Sequence, residues 1–92
     1  MPSTQEEHLK ITKEAFNNLI QIERNAQDEK WGEQRHNDEK WLAIILEELG
    51  EAAKAVLEEN EEGILEETVQ VAAVLQNWVT SRDFFFDTET DD

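Results

Sequence analysis

The sequence predicts an all-α fold: an N-terminal helix, then an antiparallel helical hairpin, completed into a four-helix-bundle core by oligomerisation. Three observations carry this reading. Hydrophobic residues make up 38% of the 92 residues and fall in blocks at helical spacing. Only one proline and three glycines interrupt the chain. Strand signals are missing, with no alternating apolar run and no Asn-Gly or Asp-Gly hairpin turn. The length allows one domain, read as residues 1–86. So short a chain buries a modest share of its surface, which favours self-association into a homodimer or homotetramer.

The first helix is expected to start near Ser3 or Thr4, because Ser3 with Glu6 and Thr4 with Glu7 both fit a capping box. Leu9, Phe16, Leu19, Ile20 and Ile22 then continue the apolar period, which fades near Asp28 to Lys30. The stretch from Trp31 to Asp38 has no period and reads as a loop. Asn37 or Asp38 can cap a second helix over about Glu39–Glu59, with Glu39 favourable in its first turn. The segment Asn60-Glu61-Glu62-Gly63 breaks it, and a third helix runs from about Glu62 to Arg82. A connection this short makes helices two and three an antiparallel pair. Phe84, Phe85 and Phe86 are expected to cover an apolar surface, and 87–92 reads as a frayed acidic tail.

Charge and composition exclude several classes. Eight Lys and Arg stand against 23 Asp and Glu, a net charge of −15. Nucleic acid is an unsuitable partner for such a chain, because phosphate contacts need clustered basic residues. The absence of cysteine excludes disulfides, thiolate metal sites and cysteine nucleophiles. No apolar run approaches a membrane span, and the first residues lack the pattern of a signal peptide. A soluble cytoplasmic chain is therefore expected.

Two helices carry carboxylates on their apolar faces. At about 100° per residue, Glu48 falls among Trp41, Ala52, Ile45, Ala55 and Ile44, and Glu51 at the edge of that arc. On the third helix Glu67 sits between Val71, Val74 and Trp78, with Gln70 at the matching edge. Facing apolar surfaces in the hairpin would bring the two pairs together. An ionised carboxylate in an apolar setting requires protonation, a basic partner or a metal ion. Basic residues are scarce there, Lys54 being the one within the middle of these helices. An all-oxygen donor set of carboxylates and an amide suits Mg²⁺ or Mn²⁺. The plain alternative is a coincidence of acidic surface helices.

Glu47-Glu48-Leu49-Gly50-Glu51, followed by Glu67-Thr68-Val69-Gln70, resembles the EExxE…ExxD signature of the MazG-like proteins in the all-α NTP pyrophosphohydrolase superfamily. Trp31-Gly32-Glu33-Gln34, Glu39-Lys40-Trp41 and Glu51-Ala52-Ala53-Lys54-Ala55 fit the flanking pattern, so the likeness spans about residues 31–80. One position departs: the signature's last Asp is Gln70 here, a neutral oxygen donor.

The resemblance implies Mg²⁺-dependent hydrolysis of a nucleoside triphosphate to a monophosphate and pyrophosphate, in the service of nucleotide-pool clearance. Glu48, Glu51, Glu67 and Gln70 would hold metal, and Glu47 or Glu48 would accept the proton of the attacking water. Trp31 could stack on a base, Arg35, His36, Lys40 and Lys54 could meet phosphate, and Asn77 could read a base. Each has a plain structural alternative: core anchoring for Trp31 and Trp41, solvation for Lys54 and His36, and a subunit contact for Asn77. A competing reading is a non-catalytic interaction or regulatory module on the same scaffold. A di-iron carboxylate bundle would need Glu-x-x-His pairs, and neither helix supplies the histidine.

Overall fold

The computed structural model describes residues 8–87. Three helices form, α1 (Lys13–Trp31), α2 (Asp38–Leu57) and α3 (Glu61–Thr80), and no strand occurs among the described residues.

The start of α1 corrects the expectation from the capping boxes. Residues 8–12 are not helical, although Leu9 fits the apolar period. Thr12 is the N-cap: its backbone is extended, and its hydroxyl oxygen accepts from the Ala15 N–H at 3.0 Å. Ser3 and Thr4 themselves lie outside the described residues. The other end also moves. Helix α1 runs through Trp31, which the missing period assigns to the loop, and stops at Gly32 with φ 72°. Only glycine takes that left-handed geometry without steric cost, so the helix ends one residue after its last side chain.

Asn37 caps α2 by accepting from the Lys40 N–H at 2.8 Å. Helix α2 ends at Leu57, two residues before the predicted end, and Glu59 turns the chain at φ 55°. Asn60 then caps α3 by accepting from the Gly63 N–H at 3.0 Å. A side chain at Gly63 would meet Asn60 Nδ2 at 2.6 Å and Ala55 Cβ at 3.2 Å. The hairpin closes tightly here because residue 63 has no Cβ. At the open end, the Trp78 indole N–H donates to Asp38 Oδ1 at 2.8 Å, and Arg82 Nε lies 3.4 Å from the same oxygen. The last turn of α3 thus meets the first turn of α2, which makes the pair antiparallel.

The core lies between α2 and α3. Trp41, Ile45, Val71 and Val74 bury together, with Ile44 and Trp78 packed against them. Burial of such side chains contributes about 2 kcal/mol each. Trp41 is 2% exposed, so this single chain covers it without a partner subunit.

Helix α3 is central. It packs against α1 as well as α2, whereas α1 and α2 do not pack on each other. Helix α1 has no fully buried residue and is tied to α3 by polar contacts. Arg24 donates to Gln76 Oε1 and Thr80 Oγ1, both at 3.2 Å. The phenylalanines after α3 do not cover the molecule. Phe85 is 90% and Phe86 77% exposed, while Phe84 stacks on Phe86 and lies under Arg82.

Candidate functional site

Because α1 and α2 stand apart on α3, a cleft of about 780 Å³ opens between them. Its floor is Gln70, Val74 and Asn77 of α3. One wall is the α2 face from Lys40 through Trp41 and Ile44 to Glu48, and the other is α1 from Glu23 to Trp31. The α1–α2 loop closes one end with Gln34 and His36.

Glu48 and Glu67 come together as the helical wheels predict. Their carboxyls lie within hydrogen-bonding reach across the hairpin. Burial first, and then the charges of Glu67, Glu47 and Glu51, raises the Glu48 carboxyl above the ordinary glutamate value. Glu47 and Glu51 are exposed on α2, within electrostatic range of this pair. Among the described residues, no group of three or more acidic or histidine side chains is already gathered to hold a metal ion. The donor chemistry nevertheless fits a hard cation at the Glu48–Glu67 pair. Positive charge there would offset the raised Glu48 carboxyl, and both side chains present oxygen.

The predicted nucleotide-binding residues divide. Trp31, His36, Lys40 and Asn77 line the cleft, as does Gln70, predicted as a metal ligand. Trp31 is 61% exposed, with Lys30 Nζ 4.9 Å from its ring centroid. Trp31 is therefore a largely exposed ring with Lys30 over one face and not a core anchor, whereas Trp41 is the anchor. Arg35 and Lys54 are exposed and do not line the cleft, and Arg35 pairs with Glu33 at 2.8 Å. His36 sits edge-on to Trp41 at 4.8 Å between centroids, with Nε2 3.0 Å from Gln34 Oε1.

One buried polar group lacks a partner among the described residues, the Trp41 indole N–H. Leaving such a group unsatisfied costs about 1–3 kcal/mol. Asn77, 4% exposed, lines the cleft, where its amide could meet a polar ligand edge.

Glu23, Ala26, Gln27 and Lys30 are cleft residues that the sequence pattern does not single out. Gln27 Nε2 donates to Glu23 Oε2 at 3.0 Å, which holds both side chains at the wall. Their one sequence signal is the polar face of α1, and it does not say which helix that face meets. No protein-family model, curated protein or solved structure matches this chain.

Proposed function

We propose that this chain is a metal-dependent nucleoside triphosphate pyrophosphohydrolase of the MazG-like kind, acting in nucleotide-pool clearance and assembled as a homo-oligomer. The observation that carries the reading is the Glu48–Glu67 pair at the edge of a cleft that also holds Lys30, Lys40 and Trp31. An acidic pair, two lysines and an open indole face are the complement of a metal-bound triphosphate with its base.

In this reading Glu48 and Glu67 hold Mg²⁺ or Mn²⁺, with Glu51 and Gln70 next to them on the same helices. The cation supplies charge neutralisation for the phosphate oxygens and a more acidic water. The remaining work belongs to the chain. Lys30 and Lys40 form no ion pair among the described residues and are available to phosphate oxygens. Trp31 offers its ring to a base. Glu48, with its carboxyl raised toward neutrality, is a better proton acceptor for the attacking water than an ordinary glutamate, and Glu47 is the alternative. The bond hydrolysed is the one between the α and β phosphates.

A second reading is a binding module without turnover on this scaffold. Gln70 favours it, because it removes one charge from the acidic signature. Pyrophosphate release from a panel of nucleoside triphosphates with Mg²⁺ separates the two. Release by the native chain and none by Glu48→Gln supports the enzyme. Nucleotide binding without release from any triphosphate supports the module.

A further inference from the structure

We propose that a groove between α1 and the first half of α3 docks a basic amphipathic helix of a partner protein. The groove is separate from the cleft, and the proposal stands without the enzymatic reading.

The groove holds about 330 Å³. Val69 is buried in it, Leu19 and Leu65 are half-buried, and Ile22 stands 65% exposed at its lip. Helix α1 has no fully buried residue, so this apolar stripe is not used up in holding the fold. A second groove, of about 760 Å³, begins on the other side of Leu65 and is lined there by Leu9 and Ile11. Glu62 and Leu65 belong to both grooves. The apolar track from Ile22 over Leu65 to Leu9 therefore crosses α3 and suits an extended occupant. A helix laid along such a track anchors apolar side chains at intervals of three and four residues.

Charge selects the partner. The polar residues lining the α1–α3 groove are Glu23, Glu62 and Glu66, and no basic residue lines it. His8 and Lys10 line only the second groove. Residues 58–67 hold six glutamates and no Lys or Arg. Glu61 and Glu62 sit in the first turn of α3, where the helix dipole favours them. That account does not reach Glu66, one turn further on, or Glu23 on α1. Arg24, beside Glu23 in sequence, is engaged with Asp28, Gln76 and Thr80. Carboxylates around an apolar floor match a segment whose Lys and Arg flank its apolar side chains. A second copy is a poor occupant here, because it brings a net charge of −15 and the same acidic rim.

The probe is a fluorescein-labelled peptide of about five helical turns, with leucine at intervals of three and four and lysine elsewhere. Its anisotropy should rise on titration with the native chain, with a Kd in the micromolar range. The same peptide with glutamate in place of lysine should not bind. Ile22→Glu adds negative charge, yet it should weaken binding about 10-fold or more, because it removes an apolar anchor. Glu62→Gln together with Glu66→Gln should weaken it several-fold. Glu14→Gln together with Glu29→Gln removes the same charge elsewhere on α1 and should leave binding unchanged. Circular dichroism checks that each variant stays helical. Failure of the leucine–lysine peptide to bind overturns the proposal, as does unchanged binding by Ile22→Glu. Equal weakening by the two double variants also overturns it, since net charge alone would then be the attraction. If sedimentation equilibrium shows that Ile22→Glu changes the number of associated chains, the groove belongs to a second copy and the proposal falls.

Discussion

Glu48 on α2 and Glu67 on α3 bring their carboxyls within hydrogen-bonding reach across the hairpin, and Glu48 is held above the ordinary glutamate value as a result of burial and of its acidic neighbours. A group with a raised folded-state pKa binds more protons folded than unfolded. Its contribution is fully present below the unfolded value of 4.5 and is lost as pH rises through the raised folded value. The native chain should therefore lose stability relative to Glu48→Gln as pH rises from about 4.5 toward neutrality. Thermal melts of both proteins across that range check this. A constant difference between the two curves would mean that Glu48 titrates as it does in the unfolded chain.

Glu48→Gln and Glu67→Gln should each lower Mg²⁺-dependent pyrophosphate release by about 10²-fold or more, since both remove charge where the cation and the proton acceptor act. Helicity should stay unchanged. Glu58→Gln, exposed at the far end of α2, should be silent. Gln70→Asp should tighten Mg²⁺ binding. Titration calorimetry beside the activity assay distinguishes loss of metal from loss of chemistry.

Asp38 serves three purposes at once. It accepts from Trp78, pairs with Arg82, and places a negative charge in the first turn of α2. Asp38→Ala should cost about 1–2 kcal/mol, mostly from the indole hydrogen bond and the helix dipole, because the half-exposed ion pair is weak. Asp38→Asn keeps an acceptor for Trp78 and should fall between the two. Urea denaturation measures the difference, and equal stability of all three would show that Trp78 holds its place by packing alone.

Gly63→Ala should destabilise the protein even though alanine is the better helix former. The gain in propensity is about 1 kcal/mol. Against it stand an Asn60 side chain at 2.6 Å, which must give up its cap, and Ala55 at 3.2 Å. Loss of a cap costs about 1 kcal/mol, and crowding about 1–3 kcal/mol. The expected net loss is about 1–3 kcal/mol, and a rise in melting temperature would contradict it.

Local chemistry made much of this protein legible in its sequence. Asn37 caps α2 because a side-chain oxygen at that point satisfies an N–H that the helix leaves open, a requirement met within four residues. The pairing of α2 with α3 follows from a connection too short for any other arrangement. Once the hairpin exists, helical periodicity places Glu48 and Glu67 opposite each other. Capping signals alone do not say which of several boxes is used. Thr12 is chosen over Ser3 and Thr4, and residues 8–12 run alongside the first turns of α3 instead of extending α1. The position of α1 is a property of the tertiary structure. Its half-buried face could meet either helix of the hairpin, and it rests on α3, where Arg24 and Gln21 meet Gln76 and Arg24 also meets Thr80. That choice separates α1 from α2 and opens the cleft. It brings Glu23, Gln27 and Lys30 to a site whose other sides are built by the α1–α2 loop, α2 and α3. It also buries Asn77 on the cleft floor, which periodicity alone does not reveal.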